Sequence, residues 1–135
     1  MHIFIYSESK NVNAVLHTHP KFSSAFAAAG IALDKQVFPE IYLKLKKIPL
    51  AKYATPSTEE VPLSLQAFVK DHNAILLSNH GLVTYGKTLE EAYFLTEKVV
   101  QFAEISFYAR LLGGEKTLTN SQLTKLEKLK TLNKE

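Results

Sequence analysis

The sequence predicts an α/β domain, because segments with the patterns of strands and of helices follow one another along the chain. Residues 74–78 form a short, continuous apolar run, which is typical of a strand buried on both faces. Residues 41–46 alternate apolar and polar side chains, which indicates a strand with one solvated face. Residues 89–112 repeat apolar side chains at helical spacing and predict a long helix.

The composition fits one globular domain of 135 residues, with 46% hydrophobic and 21% charged side chains. A net charge of +3 is too small to predict nucleic-acid binding, although a mildly positive field suits a small anionic ligand. The absence of cysteine excludes disulfides and thiolate chemistry, and it fits a cytoplasmic protein. No apolar stretch approaches membrane-spanning length, so we do not expect a membrane partner.

In the first half of the chain, a strand and a helix are predicted before and after a proline. Residues 12–17 form the strand, which ends at Pro20 because proline has no N–H to donate. Residues 22–29 carry apolar side chains at helical spacing, and Gly30 is a candidate C-terminal cap. Residues 48–54 are predicted to form a further strand, which a proline within them restricts to the edge of the sheet.

In the second half of the chain, three pairs of residues have the spacing of a capping box. In this motif a serine or threonine and a glutamate or glutamine three residues later satisfy each other's backbone N–H groups at a helix start. The three pairs are Ser57 with Glu60 before a helix to about residue 70, Thr88 with Glu91 before the helix at 89–112, and Thr119 with Gln122 before a last helix.

Two histidines that stand two residues apart are the most informative feature of the chain. On a strand, side chains at i and i+2 share a face, so His17 and His19 would point the same way. That placement suits two ligands of one metal ion, but it is equally compatible with two half-buried histidines. His80 is the candidate third ligand, because it also follows a predicted strand, and Gly81 after it would allow close approach. Three imidazoles would leave a bound metal an open position.

The sequence resembles the class II aldolase/adducin family over nearly its whole length. Four motifs carry the resemblance, at residues 13–20 (NAVLHTHP), 53–55 (YAT), 74–82 (AILLSNHGL) and 89–92 (LEEA). The separation between the second histidine of the first motif and the histidine of the third is similar to that in the fuculose-phosphate aldolase branch of the family. This combination is specific and favours a metal site at the three histidines over three unrelated core histidines.

The resemblance implies a three-layer α/β/α sandwich around a mostly antiparallel sheet, in a cytoplasmic homotetramer with sites between subunits. It implies that His17, His19 and His80 hold Zn²⁺, although three imidazoles also accept other divalent metals. The implied reaction is zinc-dependent cleavage of a sugar phosphate, such as L-fuculose 1-phosphate, into dihydroxyacetone phosphate and an aldehyde. Two alternatives stay open: a ribulose-phosphate 4-epimerase or dehydratase of the same family, and a non-catalytic, adducin-like interaction module.

The acid–base residues of the family do not carry over to this chain. By the resemblance, the catalytic glutamate and the phosphate-binding loops align upstream of Met1, so we interpret residues 1–135 as the C-terminal portion of the family domain. A family tyrosine that serves as proton donor aligns with Phe38, and Tyr42 is out of register with it. We therefore expect residues 1–135 to bind metal without turning over substrate.

Overall fold

The computed structural model describes residues 1–132, which form a four-stranded sheet with helices on both faces. The strands are β1 (Ala14–Thr18), β2 (Leu50–Ala51), β3 (Ala74–Leu77) and β4 (Gly81–Gly86). The helices are α1 (His2–Glu8), α2 (Lys21–Ala28), α3 (Pro39–Leu45), α4 (Glu60–Leu65), α5 (Leu89–Leu111) and α6 (Asn120–Leu132). No helix among these residues is long and apolar enough to cross a bilayer.

The strand order is β1-β4-β3-β2, and the sheet is mostly antiparallel, as the family resemblance implies. β4 runs antiparallel to both β1 and β3, whereas β2 runs parallel to β3 and lies at the sheet edge. In the register, Thr18 is opposite Leu82, and Leu77 is opposite Gly81. The carboxyl ends of β1, β2 and β3 therefore meet at one end of the sheet, beside the start of β4.

Each face of the sheet has its own hydrophobic core. Neighbouring residues of β3 divide between the two: Leu76 packs with α2, α3 and α5, whereas Ile75 packs with α1 and α4. On β4, Leu82 and Val83 divide in the same way. Full burial of one such side chain stabilises a fold by about 1.5–3 kcal/mol. The three-layer α/β/α arrangement is thus confirmed.

Helix α5 is the longest element and begins with a modified capping box. Thr88 Oγ1 accepts a hydrogen bond from the Glu91 N–H at 3.1 Å, as predicted. The Glu91 carboxylate accepts from the N–H of Lys87 at 2.8 Å, one residue before the cap. Along the helix, Leu95 and Phe102 are buried against the sheet. The helix ends before two glycines with positive φ, so its predicted extent is confirmed within one residue.

The predicted capping box of the last helix is confirmed in full. The Thr119 N–H donates to Gln122 Oε1 at 2.8 Å, and the Gln122 N–H donates to Thr119 Oγ1 at 3.3 Å. No side chain of α6 is fully buried. Its Lys130 ammonium donates to the carbonyl oxygen of Leu43 at 2.7 Å, which fastens α6 to α3.

The prediction of a strand at residues 41–46 is wrong, because residues 41–45 belong to helix α3 and Lys46 follows its end. Pro39 occupies the first turn, where its fixed φ favours a helix and its missing N–H has no helical partner to lose. Ile41 and Leu45 lie four residues apart and are both buried. An i, i+4 pair fits the helical period as well as the period of two, so the alternation did not separate the two structures.

The Ser57–Glu60 pair does not form the predicted capping box. Ser57 has a φ of +66°, and α4 starts only at Glu60 and ends at Leu65 rather than near residue 70. The Glu60 carboxylate instead accepts a hydrogen bond from the N–H of Thr55 at 2.8 Å. This bond fixes the turn between β2 and α4 rather than the start of a long helix.

Candidate metal centre

The three histidines identified in the sequence meet at the end of the sheet where β1, β2 and β3 finish. His17 lies within β1, and His19 follows that strand before Pro20. His80 lies in the tight turn between β3 and β4. The residue before it, Asn79, has a φ of +55°, a left-handed conformation that asparagine tolerates better than most residues. The turn therefore returns the chain so that the His80 ring faces β1.

The imidazole nitrogens of the three rings converge. His17 Nε2 lies 3.1 Å from His19 Nε2 and 3.3 Å from His80 Nε2. One nitrogen from each ring can be chosen so that all three lie within 4.8 Å of one another. Two nitrogens bound to one zinc ion at tetrahedral angles, with bonds of about 2.0–2.1 Å, lie about 3.3 Å apart. The arrangement fits the requirements of a divalent metal ion, and these three side chains could hold one.

A hydrogen bond at Nδ1 fixes the orientation of the His17 ring. Its Nδ1 lies 2.9 Å from the carbonyl oxygen of Leu82, and because that oxygen can only accept, Nδ1 carries the proton. Nε2 of the neutral ring then has its lone pair free and pointing toward the other two histidines. Hydrogen bonds of this kind set the tautomer of metal-binding histidines and increase their basicity.

The environment of His17 favours the neutral ring. Burial lowers its pKa below the usual value, and the nearby rings of His80 and His19 lower it further. The hydrogen bond to the Leu82 carbonyl acts in the opposite direction but does not outweigh burial. A metal ligand must be unprotonated, so this shift keeps His17 ready to bind near neutral pH.

Gly81 is required by the close packing of the two strand ends. A Cβ at this position would lie 2.5 Å from Cδ2 of His19 and 2.6 Å from the carbonyl oxygen of Thr18. Both distances are far shorter than a carbon makes without displacing its neighbour. The glycine after His80 therefore allows the His19 ring to approach, which agrees with the role expected for it from the sequence.

Among residues 1–132, no aspartate or glutamate belongs to the group of convergent ligands. Glu8, an acidic residue close in sequence to the histidines, lies 3.4 Å from the ammonium of Lys70 and borders a cleft at the other end of the sheet. Phe38, at the position of the family tyrosine, packs edge-to-face on Phe102 in the core. Among the residues that the structure describes, three imidazoles thus converge without a carboxylate in their group.

Tyr42 does not supply the missing proton donor either. A hydrogen bond with the carboxylate of Glu127 raises the pKa of its hydroxyl, so the tyrosine faces α6.

One feature that sequence reasoning missed is a narrow crevice bordered by Lys52, Ser78 and His80. This crevice forms because β2 pairs in parallel with β3, and no local motif in the sequence predicts that pairing.

The comparison with known families agrees with this geometry. Residues 1–107 match the family described as the class II aldolase and adducin N-terminal domain. The match covers most of the chain and includes all three histidines, so the chain belongs to this family.

The relatives that the chain matches include several L-fuculose phosphate aldolases. The chain is 36% identical over 116 residues to an L-fuculose phosphate aldolase of Methanococcus maripaludis, covering 84% of this chain and 61% of the relative. A solved structure of an L-fuculose 1-phosphate aldolase superimposes with a TM-score of 0.85 at 25% identity, covering 96% of this chain and 61% of that one. A 3-oxo-tetronate 4-phosphate decarboxylase of Escherichia coli is 27% identical, over 78% of this chain and 52% of the relative. The chain thus spans about 60% of the length of the fuculose-phosphate aldolases it matches.

Proposed function

We propose that this chain carries the metal centre of an aldolase-type lyase that cleaves a sugar phosphate such as L-fuculose 1-phosphate into dihydroxyacetone phosphate and an aldehyde. The observation that carries the proposal is the convergence of His17, His19 and His80, with Nε2–Nε2 distances of 3.1 Å and 3.3 Å, in a member of the class II aldolase family. We propose Zn²⁺ as the metal, because three imidazoles and one open position are a usual catalytic zinc site.

A divalent metal held there would polarise a substrate oxygen and stabilise the negative charge that develops when a carbon–carbon bond breaks. The chain's own residues prepare the site for this task. His17, His19 and His80 would occupy three positions and leave the remaining ones to the substrate. The bond from His17 to the Leu82 carbonyl holds the ring in the tautomer that can bind. Gly81 keeps His19 close enough to join the group.

The choice of substrate rests on the relatives. The L-fuculose phosphate aldolase of Methanococcus maripaludis is 36% identical to this chain, whereas the decarboxylase is 27% identical. The decarboxylase supports a second candidate, in which the same metal centre stabilises the charge left by loss of carbon dioxide. An interaction module without catalysis is less well supported, because such a module has no need of three converging imidazoles.

We further propose that the active protein is a cytoplasmic homotetramer, as the family resemblance implies, and that residues 1–135 alone are inactive. General acid–base catalysis contributes about 10²–10⁴ in rate, and no carboxylate among residues 1–132 lies beside the histidines to supply it. The metal ligands would remain functional in such a chain, because they are complete within it.

Metal content and activity test the proposal separately. Elemental analysis after purification without chelator should give one divalent ion per chain, and His17→Ala, His19→Ala and His80→Ala should each reduce that content. His72→Gln is the matched control, because His72 is a partly buried histidine outside the convergent group. A chain that neither contains metal nor takes up added zinc would refute the metal centre.

For activity, residues 1–135 and, where the source genome encodes one, an upstream-extended chain should be assayed for dihydroxyacetone phosphate release from L-fuculose 1-phosphate. The expected result is turnover only by the extended chain. Turnover by residues 1–135 that is lost in His80→Ala would show that these residues contain their own base, contrary to the proposal. Turnover of 3-oxo-tetronate 4-phosphate but not of ketose 1-phosphates would support the decarboxylase instead.

A further inference from the structure

Helix α6 is attached to the rest of the protein without a fully buried side chain of its own. Leu123, Leu126 and Lys130 lie half-buried along one face of the helix. The helix contacts α3, where the Lys130 ammonium donates to the carbonyl oxygen of Leu43 at 2.7 Å. Because buried apolar side chains supply most of the stability of a packed helix, α6 should detach at a lower free energy than α5.

The segment before α6 is held by a buried carboxylate. The side chain of Glu115 is only 1% exposed, and it lies between two cations. Its Oε2 accepts from the Lys35 ammonium at 2.9 Å and from Arg110 Nε at 3.1 Å. Lys35 lies in the loop between α2 and α3, and Arg110 lies in the last turn of α5. The carboxylate therefore joins three parts of the chain, and it can stay buried only while its cationic partners are in place.

Two glycines lie immediately before this carboxylate. Gly113 and Gly114 have φ angles of +109° and +112°, a region that other residues rarely adopt. A Cβ at either position would have no neighbouring atom within 4 Å, so the pair is not packed against the protein. Backbone of this kind can absorb a change of direction, as a hinge does. After the pair, the N–H of Leu118 donates to the carbonyl oxygen of Gln36 at 2.7 Å, next to Lys35.

We propose that residues 115–132 form a strap that opens and closes on the protein as one unit, with Gly113 and Gly114 as its hinge and Glu115 as its latch. In the closed state α6 lies against α3. When the ion pairs of Glu115 break, α6 leaves and this side of α3 becomes exposed to solvent. Neither hydrophobic core contains a residue of the strap, and none of the three convergent histidines belongs to it. The strap therefore controls the exposure of α3 independently of the proposed metal centre.

Hydrogen exchange measured by mass spectrometry tests the strap. Glu115→Gln should accelerate exchange of the α6 amides by about tenfold, because a charged hydrogen-bond partner is replaced by a weaker neutral one. All α6 amides should change by the same factor, since the strap opens as a whole, whereas exchange in β3 and β4 should stay the same. Zinc content should also stay the same. Glu97→Gln is the matched control, because it removes the same charge from an exposed position on α5.

A second variant decides the question if Glu115→Gln does not give folded protein. Lys35→Met removes one cationic partner of Glu115 and keeps Arg110, so exchange in α6 should rise by a smaller factor. Exchange that rises equally in α6, β3 and β4 would show that Glu115 stabilises the whole fold, and the strap would be refuted. A change confined to the amides beside Glu115, or no change in α6, would refute it as well, because α6 would then not open with this latch.

Discussion

The ring of His17 donates a hydrogen bond of 2.9 Å to the carbonyl oxygen of Leu82, across from β1 to β4. Leu82 is the residue paired with Thr18, not with His17, so the bond runs diagonally between the strands. It joins a proposed metal ligand to the main chain of a buried strand. The ring orientation therefore depends on the register of the sheet, and a change in that register would misplace the ligand.

The pH dependence of stability should reflect the lowered pKa of His17. Since burial depresses this pKa below 6.5, the unfolded chain binds more protons than the folded one in the pH range between the lowered value and 6.5. The free energy of unfolding of the metal-free protein should therefore fall as the pH decreases through this range. Urea unfolding between about pH 7.5 and about pH 5 would measure it. His17→Gln should flatten the dependence, and an unchanged slope would contradict the assignment.

Gly81→Ala should weaken metal binding more than it weakens the fold. The added methyl group would meet Cδ2 of His19 at 2.5 Å and would displace that ring or the strand end. Overpacking of this kind costs about 1–3 kcal/mol in stability. Gly30→Ala is the control, because its φ of +69° makes alanine unfavourable there while no atom lies within 4 Å of the new Cβ. Zinc affinity measured by competition with a chelator should drop in the first variant and not in the second.

The protein should associate with itself through the end of α5. Ile105, Leu111 and Leu112 are 40%, 70% and 88% exposed. Contiguous exposed apolar side chains usually meet a partner. Light scattering on a size-exclusion column should give a mass several times the 15.1 kDa of the chain. Leu111→Glu with Leu112→Glu should shift the mass downward, whereas a clean wild-type monomer at micromolar concentration would contradict the expectation.

Thr84→Val should destabilise the fold by about 1 kcal/mol. Thr84 is fully buried, and its hydroxyl lies 2.7 Å from the Thr96 hydroxyl and donates to the carbonyl oxygen of Ala92 at 2.9 Å. These bonds join β4 to α5 inside the core. Thr124→Val on exposed α6 should change stability by less than about 0.5 kcal/mol. Equal midpoints for the two variants in urea unfolding would show that the buried pair does not contribute.

The elements that were predicted correctly from the sequence have patterns formed by residues that are close together in the chain. The apolar run at 74–78, the threonine cap of α5 and the reciprocal pair of Thr119 with Gln122 are all local patterns, and the structure retains them. The failures at residues 41–46 and at Ser57 have another cause. In both, a short pattern fitted two structures, and long-range packing or a left-handed residue decided between them.

The candidate site also has some features that the sequence predicts and others that it does not. The spacing of His17 and His19 and the strand before His80 identify the three imidazoles without any structure. The carbonyl of Leu82 could not be found this way, because it reaches His17 through the pairing of distant strands. Its contribution depends on register, which the sequence encodes only through the packing of the whole sheet.

The proposed ligands come from opposite ends of a long stretch of chain, and this has a consequence for the dynamics of β1. His17 and His80 are 63 residues apart in sequence, so an ion held by both would close a loop of that length and remove the corresponding entropy from the unfolded chain. Among residues 1–132, β1 pairs only with β4, so without the metal this edge strand should open more readily than β3. Metal binding should therefore slow the hydrogen exchange of the β1 amides far more than that of β3, which is bonded on both sides.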